Sequence, residues 1–395
     1  MRSISIKARV LGVLALCLSL TALGLIGMEE SSYRRNVGTV ARQSVSAAQT
    51  AFENVKAAET AKLGATLTSL MGDRQMQELY ARRDREGLLA YASPIYRDLK
   101  SKYGITNWHF MDLEPPMNIF LRLHDPTHYN EVFWHLTAVH AMEARDFATG
   151  MELGKFGFAL RVVGPYRDAA GRIAGYMEVA EDIANFTGGM KGQTGDDYCL
   201  VARKSLLDKD KYAVSMERKK VRNNWDDQPD VVVLGATGDI PELAAYSGDV
   251  SAVPAGGQFL QKSEVRGQVF VRGVFPLKDV SGQTIGGVFV RHEVTDLYRN
   301  LAAARNRALA AIVGLTLVLS LSLTLLLQRL VFSRLDRTIA LATRVVGGEF
   351  DTRIVPVSDD EVGRLETLLE GFRNVFVNTV KEFEERLDED RRNAA

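Results

Sequence analysis

Four polar side chains lie in segments that read as β-strand, and their types suit the binding of a small ion. Arg122 and His124 alternate with apolar residues and share one predicted strand face with Phe120. An arginine that points inward from a sheet binds a carboxylate or another anion through charge-assisted hydrogen bonds. Arg161 and Glu178 are lone charges in two later apolar strands. The alternative is that Arg122, Arg161 and Glu178 pair with one another.

Aromatic residues and histidines surround these positions. The run Trp108-His109-Phe110 is predicted to form a wall of the same ligand-binding site. Residues with metal-ligating groups follow in the chain, namely His124, Asp125, His128, Glu131, His135 and His140. Their spacing fits solvated positions on a helix face better than a zinc or haem site, which stays the alternative. We therefore predict no metal and no cofactor.

The distribution of histidine limits the class of protein. All six histidines precede residue 293, and none follows the second of two long apolar segments. A sensor kinase needs a phosphoacceptor histidine on the cytoplasmic side, so a self-contained kinase is not expected. The sequence also has no Gly-x-Ser-x-Gly, no P-loop and no dinucleotide fingerprint after a strand. We predict that the protein is not an enzyme.

Two apolar segments are long enough to cross a bilayer, residues 10–28 and 308–327. Basic residues flank their outer ends, which places residues 1–9 and the C-terminal part in the cytoplasm and residues 29–307 in the periplasm. A cleaved signal peptide is the alternative for the first segment. The protein is thus predicted to be a multi-pass protein of the bacterial inner membrane.

Charge and cysteine content add exclusions. The chain has 49 basic and 49 acidic residues, which gives no electrostatic reason to expect nucleic acid as a partner. Cys17 lies in the first apolar segment, and Cys199 is alone in the external region. The external region must therefore be held by its own hydrophobic core, without a disulfide.

The elements that position the candidate site follow from hydrophobic periodicity. Residues 31–100 have helical spacing and predict one long helix out of the membrane, then a shorter one over about 75–100. Strands are expected from Ile105 onward, separated by a turn at Glu114–Asn118. Asp125-Pro126 predicts the start of a helix that continues to about Phe147.

An internal repeat predicts two modules. Residues 164–179 match residues 275–290 at a constant offset of 111, with an apolar strand, a proline, a charged turn that ends in glycine, and a second apolar strand. Arg161 and Arg272 precede the two copies at the same offset. Such a long offset fits two tandem α+β modules that each end in an antiparallel strand pair.

Given these features, the segment 40–300 resembles the double Cache sensor domains of bacterial receptors, and it is most similar to the dCache_3 subtype. The resemblance rests on the runs 120–126, 150–154 and 157–161, although Asn130-Glu131 replaces the Gly-Asp pair usual in that subtype. It implies an α+β fold in which a long helix carries two PAS-like modules, a distal one over about 105–185 and a proximal one over about 195–295.

The segment after Arg329 predicts two helices with coiled-coil seams. The apolar positions step by three and four along Leu335, Ile339, Ala342 and Val346, and again along Val362, Leu365, Leu369, Phe372 and Phe376. Residues 328–380 are similar to a HAMP domain, whose Asp-Glu-x-Gly motif matches Asp360, Glu361 and Gly363 as signal-relay residues. Short seams imply a homodimer; a hairpin on the membrane surface is the alternative. Residues 381–395 read as a charged tail.

These features together predict a homodimeric receptor in the lipid bilayer that binds a small extracytoplasmic molecule, favouring an anion or carboxylate. The ligand-binding residues are expected to be Trp108, Phe110, Arg122, His124, Arg161 and Glu178. The signal is expected to pass through the HAMP-like helices to a separate kinase, chemoreceptor or cyclase. The alternatives are a non-sensory membrane scaffold, a metal-binding periplasmic protein, or a truncated chemoreceptor or sensor kinase.

Overall fold

The computed structural model describes residues 5–113, 117–133, 135–154, 157–168, 170–237, 246 and 248–393. The predicted turn residues Glu114, Pro115 and Pro116 and the end of the tail lie outside this part of the chain. The chain divides into two compact units, one made of Arg34–Asn300 and one made of Met1–Tyr33 with Leu301–Ala395.

Three helices open the chain. Helix α1 spans Ile6–Met71, α2 spans Arg74–Ala81 and α3 spans Arg85–Tyr103. The expectation of a single helix over about 75–100 is wrong, because the chain breaks between α2 and α3. The side chain of Asp84 accepts a hydrogen bond from the backbone N–H of Gly87 and so starts a new helix.

Two five-stranded antiparallel sheets follow, and they have the same strand order. The first is ordered β2-β1-β5-β4-β3 and the second β7-β6-β10-β9-β8. The strands are β1 Ile105–Asp112, β2 Ile119–Arg122, β3 Ala148–Gly154, β4 Gly157–Arg167, β5 Ile173–Asp182, β6 Asp197–Arg203, β7 Val231–Ala236, β8 Gln258–Val265, β9 Gln268–Lys278 and β10 Thr284–Glu293. We call residues 105–182 the first module and residues 197–293 the second module. The repeat thus corresponds to β4–β5 and β9–β10.

Short helices complete both modules. They are α4 Leu136–Ala144, α5 Phe186–Thr194 and α6 Lys209–Lys219. The predicted helix over 125–147 is wrong in its first half. Residues before α4 pair with β2 instead: Asn130 N donates to Ile119 O over 2.8 Å, and Phe133 N donates to Met117 O over 2.7 Å. This extended pairing uses backbone donors that a helix would need there.

One hydrophobic core joins α1 to both sheets. Phe52 of α1 lies 5.8 Å from Phe275 of β9 and 6.0 Å from Phe186 of α5, measured between ring centroids. The helix approaches β9 so closely that a Cβ on Gly273 would meet Val45 at 2.1 Å. Glycine at this position therefore permits the contact between helix and sheet.

The remaining helices lie mostly in the other unit, and the first of them begins in the unit Arg34–Asn300. They are α7 Thr295–Leu327, a π-helical turn over Gln328–Phe332, α8 Ser333–Val346 and α9 Glu361–Asn393. Two helical stretches, Ile6–Met71 and Thr295–Val346, are long and apolar enough to cross a membrane. The coarse fold prediction is confirmed: the fold mixes α and β structure, with long helices, two antiparallel sheets and two candidate membrane helices.

Candidate functional site

A row of polar residues crosses one face of the first sheet. Arg122 of β2 is paired with His109 of β1, and His109 is paired with Glu178 of β5. Residues directly opposite each other in a sheet point to the same side. Arg161 of β4 reaches the same group, because its Nη1 lies 2.6 Å from Glu178 Oε1.

The Arg161–Glu178 ion pair is buried, with 3% and 0% of the two side chains exposed. Burial alone would raise the pKa of Glu178, but the Arg161 guanidinium and His109 lower that pKa more, to well below its usual range. The carboxylate is therefore ionised. His109 Nδ1 lies 3.1 Å from Glu178 Oε1, and His135 Nδ1 lies 3.9 Å from Glu178 Oε2.

Histidine rings fill the space beside this pair. The ring centroids of His109 and His124 are 4.9 Å apart, and the His135 ring lies 4.1 Å from that of Phe133. Burial lowers the pKa of His109, and burial together with His109 and Arg122 lowers the pKa of His124 to about 3. Both rings are therefore neutral near pH 7. We call His109, His124, His135, Arg161 and Glu178 the polar cluster.

Several atoms of the polar cluster lack a hydrogen-bond partner among the described residues. They are Nε2 of His109, Nδ1 of His124 and of His135, Nε of Arg161 and Oε2 of Glu178. Buried polar atoms in folded proteins almost always have partners. The cluster therefore offers both donors and acceptors for a further group.

A lid, which we call the cover, closes this face of the sheet. It consists of residues 123–133 and 135–144, and its Phe133, Ala138 and Ala141 pack on Met111 and Tyr176 of the sheet. Glu152 of β3 anchors it at the start of α4. The Glu152 carboxylate accepts hydrogen bonds from Leu136 N over 2.6 Å and from Thr137 N and Oγ1 over 3.2 and 2.9 Å, the donors that a helix start leaves unpaired.

Arg122 lies at the rim, with 13% of its side chain exposed. Its Nη1 donates to Glu131 Oε2 over 2.8 Å and to the His128 carbonyl oxygen over 3.2 Å. Beside it, Asp125 Oδ2 accepts from Arg218 Nη1 of α6 over 2.8 Å. The rim is thus charge-compensated and linked to the second module.

The structure brings Arg122, His124, Arg161 and Glu178 together, and their role in ligand binding stays a prediction. Trp108 and Phe110 point to the opposite face of the sheet and pack in the core with Tyr80 and Tyr166, so they do not contribute a wall. The pairing of Arg161 with Glu178 agrees with the alternative that the charges satisfy one another.

The predicted alternation along β2 fails at one residue. Leu121 is paired with Phe110 and Ile119 with Met111, with a β-bulge between them. The bulge turns Phe120 to the opposite face, where its ring lies 5.2 Å from that of Tyr80. Arg122 consequently shares its face with Ile119 rather than with Phe120.

The sequence reasoning missed His135 and Glu152 as members of the site. His135 precedes α4, which the sequence placed earlier, and Glu152 contributes through the helix start that it caps. The repeat covers neither residue and marks only Glu178, which corresponds to Phe289 at the offset of 111. Among the described residues, no three His, Cys, Asp or Glu side chains are grouped so as to hold a metal ion.

Comparison with known families identifies the part of the chain that holds both sheets. Residues 41–298 match the family dCache_3, described as the double sensory domain of two-component sensor kinase. The chain belongs to the dCache_3 family. Its polar cluster therefore lies in the first module of a sensory domain. No curated protein matches the chain.

Solved structures similar to the dCache_3 chain are distant in sequence. The periplasmic domain of Vibrio cholerae LuxQ is 13% identical with a TM-score of 0.36, covering 64% of this chain and 98% of that one. The ligand-binding domain of the Campylobacter jejuni chemoreceptor Tlp3 in complex with L-valine is 10% identical with a TM-score of 0.37, covering 69% and 98%. The Escherichia coli DcuS sensor domain is 15% identical with a TM-score of 0.30, covering 35% and 98%.

The predicted relay residues lie at the start of α9 in the other unit. Asp360 Oδ1 accepts from the backbone N–H groups of Val362 and Gly363 over 3.1 and 3.0 Å, and its Oδ2 lies 2.5 Å from Arg334 Nη1. Glu361 is the first residue of α9. A Cβ on Gly363 would meet the Ser358 carbonyl oxygen at 1.6 Å, so only glycine fits there.

Proposed function

We propose that this protein is an inner-membrane signal-transduction receptor whose first module binds a small extracytoplasmic ligand. The single observation that supports this most is the buried polar cluster under the cover. Polar groups that are buried without full hydrogen bonding reduce stability, and they concentrate at functional sites. Membership of the sensory dCache_3 family supports the same function.

We propose that a ligand carboxylate or similar anion binds Arg122. The present partner of Arg122, Glu131, has 39% of its side chain exposed and sits in the cover. A ligand carboxylate would make the same charge-assisted hydrogen bond and would take the place of Glu131. His124, Arg161 and Glu178 would then contact the rest of the ligand.

The relay would use the segment 328–380 as a HAMP domain in a homodimer. Residues 10–28 and 308–327 would lie in the membrane, and residues 29–307 would lie in the periplasm. In one chain, large apolar side chains of the α9 seam stay exposed, among them Phe372 at 70% and Phe376 at 62%. A second copy would bury this seam, as two-helix seams require. Ligand binding changes the signal only if it favours one arrangement of the receptor over another. The relay would act on a cytoplasmic kinase, chemoreceptor or cyclase.

A thermal-shift screen of the full-length protein in detergent tests the proposal, using small carboxylates, amines and uncharged metabolites. We expect a carboxylate to raise the melting temperature of the wild type, Arg122→Ala to abolish that rise, and Glu131→Gln to enlarge it. Arg172→Ala, an exposed arginine of the β4–β5 turn, is the matched control. An undiminished rise in Arg122→Ala would refute the assignment of Arg122.

A further inference from the structure

The polar cluster has a composition that responds to protons. Three of the six histidines of the chain meet there beside one ion pair, although they come from β1, from the end of β2 and from the residue before α4. Histidine is the side chain whose ordinary titration lies nearest neutral pH. The rings of His109 and His124 contact each other, so charging either ring affects both.

We propose that protons regulate the sensory site: acid charges the buried histidines and opens the cover of the first module. This deepens the proposed function by naming a regulation of the same site, and it rests on that function only for its effect on signalling. The opening itself needs no ligand.

The charges that face the histidines come from every element around them. Sheet strands contribute Arg122, Arg161 and Glu178, and the cover contributes Asp125, His128 and Glu131. Glu152 is turned to the start of α4, and the buried residues of that helix are uncharged, namely Thr137, Ala138 and Ala141. Arg218 of the second module neutralises Asp125.

These charges already cancel in pairs. Arg161 is compensated by Glu178, Arg122 by Glu131, and Asp125 by Arg218. A proton on His109 or His124 would therefore add a net positive charge beside two arginines, among buried side chains. Burial accordingly lowers the pKa of both histidines. These rings take up a proton only when the cover opens and admits water, so proton uptake and opening are coupled.

The cover contains and ends at residues with left-handed backbone. Its helix ends at Arg145, whose φ of 52° is left-handed, and another left-handed residue, Asn130 with φ of 59°, lies in its first half. Glu152 holds the start of α4 to β3, so this contact must break or pivot on opening. Glu181 of β5, the strand that carries Glu178, contacts Lys62 of α1 and does not face the polar cluster.

Hydrogen exchange by mass spectrometry on the full-length protein in detergent, without ligand, tests the proposal. Opening of α4 is compared at pH 7.5 and 5.5 after correction for intrinsic exchange. Each histidine that becomes exposed raises the opening constant roughly tenfold over this range, so that two give an increase on the order of 100-fold. We expect His124→Gln to leave roughly a tenfold increase.

His140→Gln is the matched control, because His140 lies on the exposed side of α4, and it should behave like the wild type. An opening constant of the wild type that changes less than about twofold would overturn the proposal, whatever the variants do. So would a double variant, His109→Gln with His124→Gln, that folds and keeps the full pH dependence. Failure of the ligand screen would count against the proposed carboxylate site and leave this result unaffected.

Discussion

The two modules share one backbone plan and differ at the centre of one sheet face. In the first module the row contains His109, Glu178 and Val163 in register across three strands. At the equivalent positions the second module has Cys199, Phe289 and Val274, all buried in an apolar cluster. The apolar residues of the second module show that this sheet face can be packed without polar side chains. The polar version in the first module is therefore evidence of a task other than folding.

The arginines at the repeat offset show the same difference. Arg161 is buried and held by Glu178, whereas Arg272 of the second module is only half-buried and has Phe289 where Glu178 would be. A buried ion pair is weak as a source of stability, because desolvation offsets much of the attraction. The Arg161–Glu178 pair in the first module therefore fits a binding site better than a stabilising contact. Substitutions in the two modules test this difference.

The largest effect is expected from placing a glutamate in the second module. Phe289→Glu buries a carboxylate among Cys199 and Val274. Arg272 holds the register position of Arg161 but is only half-buried, so it would compensate this charge less than Arg161 compensates Glu178. We expect the free energy of unfolding to fall by about 4–5 kcal/mol or more, measured by denaturant unfolding of the full-length protein. Phe289→Met is the control and should cost about 1.5 kcal/mol or less. A tolerated glutamate would show that the second face is not a closed apolar core.

The reciprocal change in the first module should have the next largest effect. Glu178→Gln leaves the Arg161 guanidinium buried without a countercharge, so we expect a loss of about 3–5 kcal/mol in the same assay. Glu131→Gln, which removes a half-exposed partner of Arg122, should cost about 1 kcal/mol or less. Equal losses in the two variants would contradict the distinction between the buried cluster and its rim.

The pH dependence should have opposite signs in the two modules. The folded-state pKa of His124, about 3, is below its unfolded value, so the unfolded state binds more protons and stability falls as pH falls below about 6.5. The penalty reaches about 1.4 kcal/mol between pH 7.5 and 5.5, and His124→Gln should remove it.

His292 of the second module gives the reverse case. Its hydrogen bond with Asp196 raises its pKa, so its contribution is present below the unfolded pKa and is lost as pH rises through the folded value. His292→Gln should therefore weaken the protein at pH 5.5 more than at pH 8. Burial raises the pKa of Glu181 to about 7, so Glu181 also makes stability depend on pH. Because both variants keep Glu181, its contribution cancels when each is compared with the wild type. Unfolding curves at both pH values would contradict this contrast if the contributions of His124 and His292 to the free energy of unfolding changed with pH in the same direction.

The smallest effect concerns the link between modules. Arg218 of α6 bridges Asp125 in the cover, and 43% of its side chain is exposed. We expect Arg218→Ala to cost about 1 kcal/mol or less, similar to Arg222→Ala, which removes the bridge to Asp227 inside the second module. A loss for Arg218 that is several times that for Arg222 would mean that the cover depends on the second module.

Sequence patterns predicted the repeated elements and the charges that interrupt them. The offset of 111 correctly paired β4–β5 with β9–β10, because both copies keep the proline, the turn glycine and the apolar strands. Arg161 and Glu178 stood out because strand interiors rarely hold lone charges. The periodicity of α1 likewise extended through its full predicted length.

The rest depends on contacts that are distant in the chain. The β-bulge in β2 reverses Phe120, and no local signal marks it. His135 enters the site only because residues 130–133 pair with residues 117–119 and delay α4. Glu152 becomes part of the site by accepting hydrogen bonds from the donors at the start of α4. Such arrangements follow from tertiary pairing rather than from propensity.

The central claim is that the first module, under its cover, receives the ligand. Hydrogen exchange of the full-length protein, with and without the compound that raises its melting temperature most, tests this directly. We expect exchange to slow in α4 and in residues 117–133, with the strands of the second module unchanged. Slowed exchange confined to the second module, with the cover unaffected, would contradict the claim.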